Sequence, residues 1–371
     1  MIKIIQIDSF SGLGGGQQIL FEIVKGLRSE FNFLIIAPPG LFLEKYSQLG
    51  IRTYQLKEKN IIKIVKKLRE SISKERPEIL HLHGTRAAIW ARLAIIGFKN
   101  RPKIIYTLHG FHLPRKNFLV RWLFLAIERF LNRWTDVLVC VSGADRNLVL
   151  KHKTIPENRI VIIKNGIDIE KFQVNKELVE AEKKKLGLTD KFVLTSIGRL
   201  HPPKDFSTIL KALKLIITQN KNFRLLIIGD GPLRKLLENE VEEFGLNQCV
   251  KFLGFRENTP ILINLSDIII LSSRWEGLPL LPLEAGASKK SIIISNIEGV
   301  KETIINGETG FLFKPASARD LADKVLNLYY SEKLRKKMGE NGYRFVSENF
   351  SKERMIKEYE DLYKEILNEN S

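Results

Sequence analysis

The sequence is poor in cysteine and has no long apolar run. Its 371 residues include two cysteines, Cys140 and Cys249, far apart and each inside a short apolar, strand-like stretch. They read as small buried hydrophobes rather than a disulfide framework and fit a reducing compartment, so the expected location is cytoplasmic. No apolar run approaches the roughly 18 residues that a membrane-spanning helix needs. The longest, Phe118 to Ile127, is interrupted by Arg121. Met1 leads straight into IKIIQID, so no signal peptide is expected. Low-complexity segments and recognised nucleic-acid-binding motifs are also missing.

A hydrophobic content of 44% and a charged content of 27% are those of an ordinary soluble globular protein. The length exceeds what one hydrophobic core usually supports, which makes two domains the expectation. Charge is unevenly placed. Residues 1–165 hold 15 Lys and 13 Arg against 12 acidic residues, a net +16 out of the total +18. A polyanionic partner for the first half alone would explain this: an anionic membrane surface, a nucleic acid or an acidic substrate.

Apolar strand-like runs alternate with helical ones throughout. In the first half, strands are expected at Ile2–Asp8, Phe33–Ala37, Arg52–Leu56, Ile79–His83, Lys103–Leu108, Asp136–Val141 and Arg159–Ile163. In the second they are expected at Phe192–Ile197, Arg224–Ile228, Val250–Leu253, Ile268–Leu271 and Ile292–Ser295. After Pro315 the chain is expected to be helical. Repeated strand–helix units of this length argue for doubly wound parallel sheets, here in two Rossmann-like domains facing across a cleft. The expected division is 1–170, 171–350 and a C-terminal helix at 351–371 that packs back toward the first domain.

Ligands of open parallel sheets gather at the carboxyl ends of the strands. Polar residues collect at those ends. The first strand runs into Ser9–Gly16, SFSGLGGG, a glycine turn before a helix and a phosphate-approach geometry. Gln17 stands where the third glycine of a dinucleotide fingerprint belongs, so that fingerprint is not met. Other strands end in HLHG (81–84), HGFH (109–112), Gly198-Arg199-Leu200-His201 with Lys204 beyond, Gly229-Asp230-Gly231-Pro232 and Gly254-Phe255-Arg256. Five of the six histidines fall in such places, which points to an active site. His81 and His83 are expected on opposite faces of their strand, with no carboxylate or cysteine close in sequence, so no metal pair is expected.

The segment Ile270–Ala285 concentrates the chemistry. A buried strand is followed by SSRWEG, and Pro279 is expected to open a helix whose free first-turn N–H groups form an anion site. Glu276 precedes it and Glu284 lies inside, with seven residues between them. Carboxylates beside a phosphate site are placed to accept hydrogen bonds from the hydroxyls of the molecule that carries the phosphate. Arg199 and Lys204 fit a diphosphate, one as a planar fork and one as a flexible point charge. The structural alternative is a Glu276–Arg274 ion pair, a helix-face Glu284 and a solvated basic turn.

Taken together, GGG, HLHG, YTLHGFH, IKNGID, IGRLHPPKD, IGDGP, FLGF, EGLPLLPLE and NGETGFLF resemble the retaining glycosyltransferases of family 4, over nearly the whole chain. The HGFH form looks like that of bacterial capsule, exopolysaccharide and lipopolysaccharide enzymes. The resemblance implies the GT-B fold and transfer of a sugar from a nucleotide-sugar, by family habit a UDP-sugar, to a glycan or polyprenyl-diphosphate-linked saccharide. It implies that Arg199 and Lys204 hold the donor diphosphate, helped by backbone N–H groups of Gly15 and Gly16, with the backbone of Leu278, Pro279, Leu280 and Leu281 lining the phosphate. Glu284 would bind the ribose, Glu276 the transferred sugar, and Gly254, Phe255 and Arg256 the nucleobase. His109 would sit against the sugar and its leaving phosphate, with His83 and His112 on the acceptor side.

The family uses no metal, and neither a metal nor a cofactor is expected here. Asp168-Ile169-Glu170 is explained by the turn after Asn165. The pair Pro202-Pro203 departs from the family pattern, which more often has one proline or an acidic residue before the lysine. A nucleotide-sugar epimerase of the same fold is the alternative. The basic, aromatic, amphipathic segment Pro114–Trp134 is expected to be an interfacial helix that makes the enzyme peripheral on the inner membrane face, the alternative being a core-facing helix with a solvated basic edge. No nucleic-acid partner is expected.

Overall fold

The computed structural model describes residues 1–12, 14–110 and 118–368. The chain divides into two compact units: Met1–Gly166 together with the segment from Lys352 onward, and Ile167–Ser351.

The first unit alternates β1 (Lys3–Asp8), α1 (Gly15–Leu27), β2 (Asn32–Ala37), α2 (Leu41–Gln48), β3 (Arg52–Gln55), α3 (Ile61–Glu75), β4 (Ile79–His83), α4 (Gly84–Ala94), β5 (Lys103–Leu108), α5 (Phe118–Leu131), β6 (Val137–Cys140), α6 (Gly143–Lys151) and β7 (Ile160–Ile162). Its seven strands lie in the order β3-β2-β1-β4-β5-β6-β7, all parallel. The inner strands are apolar on both faces, as a sheet covered on two sides requires; Ile4, Ile5, Ile7, Leu80, Leu82, Ile104 and Ile105 are fully or almost fully buried. Strand order reverses between β1 and β4, where Ile4 pairs with Ile79 and Asp8 with His83. A doubly wound sheet opens a crevice at that point.

The second unit runs α7 (Lys176–Lys185), β8 (Phe192–Ile197), α8 (Phe206–Ile217), β9 (Phe223–Ile228), α9 (Arg234–Glu243), β10 (Val250–Gly254), α10 (Thr259–Asn264), β11 (Ile268–Leu271), α11 (Leu281–Ala287), β12 (Ser291–Ser295), β13 (Gly310–Phe313), α12 (Ala318–Tyr330) and α13 (Glu332–Asn349). The sheet order is β10-β9-β8-β11-β12-β13, parallel, with its reversal between β8 and β11. β13 is a sixth strand where five were expected. It has four residues, follows the turn signal NGETG and buries fully only its two ends, so neither alternation nor length announced it.

The chain then returns as α14 (Lys352–Asn368) to the first unit, on α1. The contact is close because residue 26 is glycine: a Cβ there would lie 2.6 Å from Ile356 Cδ1. Tyr363 is fully buried, edge-on to Phe31 at 5.3 Å between ring centroids.

α5 shows two faces. Leu125, Glu128 and Leu131 turn inward, and Glu128 accepts from Arg92 Nη2 at 2.9 and 3.1 Å. Arg92 is fully buried, also donates to Ala88 O and Asn132 Oδ1, and lies over the Tyr106 ring. Outward, Phe118, Leu119, Val120, Trp122, Leu123, Ile127 and Phe130 are all exposed. Among the described residues no helix is long and apolar enough to cross a membrane.

Candidate active site

Both sheets present expected site residues at their switch points. In the second unit, β8 leads to Arg199 and Lys204 while its neighbour β11 leads to Glu276. The turn carrying Lys204 is a single 3-10 turn, Pro202–Lys204, entered from His201. Prolines fit such a first turn because their missing N–H groups would have no partner there, which gives Pro202-Pro203 a local reason. Asp205 follows in the left-handed region (φ 48°), strained for a non-glycine, and accepts from Thr208 Oγ1 at 2.9 Å and from Arg274 Nε at 3.1 Å.

The loop after β11 is bound to this turn. Arg274 N donates to Pro203 O at 2.7 Å, and Ser272 Oγ donates to Lys204 O at 2.7 Å. Lys204 Nζ donates to Glu276 Oε1 at 2.5 Å, and Ser273 Oγ donates to the same oxygen at 2.6 Å. The Glu276–Arg274 pair weighed from sequence is therefore not formed, since Arg274 is committed to Asp205. Ser273, which aims Glu276, was not anticipated; the two serines closing an all-apolar strand were its signal. Gly299 seals the loop from behind, for a Cβ there would meet Glu276 O at 1.9 Å.

The glycine turns beside Arg199 are stitched together by backbone. Leu200 N donates to Asp230 O at 2.9 Å and Gly229 N to Gly254 O at 2.8 Å. Gly229 (φ 124°) presses on Gly198, where a Cβ would come within 2.1 Å of the carbonyl oxygen. Arg199 itself is exposed, as are Phe255 and Arg256, which stand at the end of β10.

The helix expected to open at Pro279 begins instead at Leu281, with Leu280 as its N-cap residue and Pro282 as the early proline. Leu278, Pro279 and Leu281 are buried and Leu280 is half-buried. Glu284 thereby moves from a turn and a half inside the helix into its first turn. Burial pushes its carboxyl up to about 7, opposed by the positive charge of Lys171. A half-buried carboxylate at that cost suits a site that supplies hydroxyl donors only when a ligand arrives.

In the first unit, Gly14 is the N-cap residue of α1 and has no side chain to offer the N–H groups of Gly15, Gly16 and Gln17. Gln17 Nε2 donates to Asp8 Oδ2 at 2.9 Å, and Phe10 N donates to Asp8 Oδ1 at 3.0 Å. Burial raises Asp8 to about 6, and these two bonds, which favour the charged form, offset it only in part. His109 packs on the glycine turn, its Cγ 3.3 Å from where a Gly16 Cβ would be. Burial holds His109 down to about 4, so it is neutral at physiological pH.

His81 and His83 share a face of β4, as residues two apart on a strand do, and their rings lie 4.1 Å apart; the expectation of opposite faces was wrong. His81 is not a strand-end residue in function. It is fully buried and bonded to Tyr363 Oη and Thr107 Oγ1, both at 2.7 Å. His83 reaches His109 at 3.2 Å and Gln6 at 2.8 Å. Burial depresses both histidines far below their usual range. No group of three or more His, Cys, Asp or Glu side chains able to hold a metal occurs among the described residues. His112 lies outside the described residues. Gln6 was missed, although a lone amide in the apolar strand KIIQID was visible.

The comparisons with known proteins bear on both units. Residues 13–171 match the family model described as Glycosyltransferase Family 4, and residues 179–345 that described as Glycosyl transferases group 1. The chain is 30% identical over 387 aligned positions to the UDP-Gal:alpha-D-GlcNAc-diphosphoundecaprenol alpha-1,3-galactosyltransferase of Escherichia coli, covering 99% of this chain and 97% of that one. It is 26% identical to the capsular polysaccharide biosynthesis glycosyltransferase CapM of Staphylococcus aureus, over 80% of this chain and 79% of the relative. Among solved structures, Anabaena Alr3699/HepE in complex with UDP-glucose superposes with a TM-score of 0.89 at 20% identity, over 98% of this chain and all of the other. A glycosyltransferase from Rickettsia africae superposes with a TM-score of 0.83 at 24% identity, over 99% of this chain and 98% of that one.

Proposed function

The chain belongs to the family 4 glycosyltransferases with the GT-B fold, and on that basis we propose that it transfers a sugar from a UDP-sugar to a polyprenyl-diphosphate-linked saccharide, with retention of anomeric configuration and without a metal. The observation that carries this reading is the Lys204–Glu276 contact at 2.5 Å between the loops after β8 and β11. A cation for a phosphate and an anion for hydroxyls stand side by side, as a sugar linked to a diphosphate requires.

The roles follow from the chemistry of each group. Lys204 and Arg199 take the diphosphate and stabilise the charge that grows on it as the sugar leaves. Glu284 accepts from the ribose hydroxyls and Glu276 from the transferred sugar. Gly254, Phe255 and Arg256 are assigned to the base, and the backbone from Leu278 to Leu281 to the phosphate. On the first unit, the N–H groups of Gly15 and Gly16 suit an anion and His109 suits a hydroxyl. The anomeric carbon–oxygen bond to phosphate breaks, and the new bond to the acceptor oxygen forms on the same face. The acceptor's proton passes to the departing phosphate oxygen, so no protein nucleophile is needed.

The E. coli and S. aureus relatives are named for an undecaprenyl-diphosphate saccharide and for capsular polysaccharide, which supports a lipid-linked acceptor. The exposed apolar face of α5, with Arg121, Arg129 and Arg133 on the same helical stretch, supports a peripheral position on an anionic cytoplasmic membrane surface.

Purified protein incubated with UDP-sugars and a polyprenyl-diphosphate-linked saccharide tests the reading. UDP release that requires the acceptor and persists in EDTA, with an α-linked product from an α-linked donor, is the expected result. Conversion of the donor to an epimer without acceptor would replace it with the isomerase alternative.

A further inference from the structure

We propose that Gln6, His83 and Tyr363 are positioning residues that set the tautomer of His109, placing its proton on Nε2 and leaving Nδ1 as an acceptor for a hydroxyl. The use of that acceptor rests on the proposed function; the tautomer does not.

The three residues belong to one buried line of hydrogen bonds in the first unit. Thr107 Oγ1 meets His81 Nε2 at 2.7 Å, and His81 Nδ1 meets Tyr363 Oη at 2.7 Å. Gln6 Nε2 donates to Tyr363 Oη at 2.9 Å, while Gln6 Oε1 meets His83 Nε2 at 2.8 Å. His83 Nδ1 then meets His109 Nε2 at 3.2 Å, with the two rings stacked at 21°.

Each contact needs one donor and one acceptor, and an amide has one end of each kind. With Gln6 Nε2 donating to Tyr363, Gln6 Oε1 must accept, so His83 carries its proton on Nε2. His83 is buried, its ring nitrogens meet Gln6 and His109, and the carboxylate of its strand neighbour Asp8 is taken by Gln17 and Phe10, so His83 is neutral and its Nδ1 is a lone pair. That lone pair accepts only if His109 Nε2 donates. Nδ1 of His109 is then the free acceptor. On the other side, Tyr363 gives its own proton to His81 Nδ1, and His81 Nε2–H donates to Thr107. The line closes with no orphan. In a histidine the bond made by one ring nitrogen decides what the other can do.

A line of buried polar side chains is costly where an apolar core would serve, and it specifies geometry only when complete. This one passes through Tyr363 of α14 and ends at His109, which packs on the glycine turn. Gly16 holds the ring face while the line holds the ring proton. The opposite amide orientation at Gln6 would reverse every donor and turn His109 Nδ1–H toward an anion instead.

Histidine-selective 15N labelling of the full chain, with NMR correlation through the ring protons, separates the two neutral tautomers. The His109 signal is assigned by its loss in His109→Gln. The wild-type protein is expected to show His109 protonated on Nε2; protonation on Nδ1 would overturn the proposal. Tyr363→Phe keeps the ring packed on Phe31 and removes the hydroxyl alone. It is expected to free the Gln6 amide, mix the His109 tautomers and lower kcat/KM for the donor by roughly five- to tenfold, the effect of one lost neutral hydrogen bond. An unchanged tautomer in folded Tyr363→Phe would leave Tyr363 a packing role and sink the relay. Should that variant not fold, the wild-type spectrum still decides. A changed tautomer with an unchanged transfer rate would uphold the relay and remove His109 from the reaction.

Discussion

Glu284→Gln is expected to stabilise the ligand-free protein while abolishing its hold on the nucleotide. Burial raises the Glu284 carboxyl from its ordinary 4.5 to about 7. Between those two pH values the folded chain binds more protons at this group than the unfolded chain does. Stability must therefore fall as pH rises through the window and stay low above it. The full linkage corresponds to about 3 kcal/mol at 1.36 kcal/mol per pH unit. Partial exposure of the side chain brings this to about 2 kcal/mol. Glutamine keeps the volume and sheds the charge, so it should recover that amount at pH 8 and almost nothing at pH 4.5. In a domain of this size the gain is a rise in Tm of about 4–8 °C at pH 8. Thermal melts of wild type and Glu284→Gln across pH 4.5–8, each with and without UDP, read both effects. Hydroxyls donating to the carboxylate favour its charged form, so UDP should bind wild type more tightly as pH rises through 7. A variant no more stable than wild type at pH 8, or one that still gains full stability from UDP, would refute the role given to this residue.

Lys204→Ala is expected to lower kcat by about 10²–10³, the loss typical of one group that stabilises departing charge, in a protein that keeps its native fold by circular dichroism; steady-state rates near wild type would remove Lys204 from the reaction. Arg92→Ala is expected to destabilise the first unit by about 3–5 kcal/mol, because it leaves Glu128 charged and buried, whereas replacing both by apolar residues should cost far less; urea unfolding of the single and double variants tests this. Flotation with anionic vesicles at low salt should carry wild type with the lipid, and Trp122→Glu with Leu123→Glu should lose it. A double variant that floats as well as wild type would show that α5 is not the membrane-facing surface.

Much of the architecture could be read from residue order because a parallel sheet writes itself plainly. Each inner strand is a run such as LLII or IIIL that ends in glycine or a polar residue, and the ending is where the polar side chains gather. The placement of Arg199, Lys204 and Glu276 after strand ends was legible for that reason. Local pattern failed where two answers were locally equivalent. Pro279 and Pro282 are three apart, and either could start a helix; the structure starts it at Leu281. His81 and His83 looked alike in HLHG, yet one is locked among Thr107 and Tyr363 while the other reaches His109. Gln6 and Tyr363 are 357 positions apart, and no periodicity links residues at that distance. Ser273 stood in view beside Ser272 at the end of an apolar strand, and only the geometry of the Glu276 carboxylate shows what it holds.

The placement of α14 sets the order in which the enzyme can come into being. Tyr363 bonds to Gln6 and His81, and Ile356 fills the space left by Gly26, so the opening strands of the chain wait for some of its last residues. During synthesis the second unit, whose contacts close within its own span, can reach its native form while the first still lacks a side of its core. Loops that long are slow to close, and until this one does the histidine cluster has no fixed arrangement of protons. A chain cut short before residue 363 thus holds every residue named for sugar transfer and still lacks the tyrosine to which Gln6 and His81 bond.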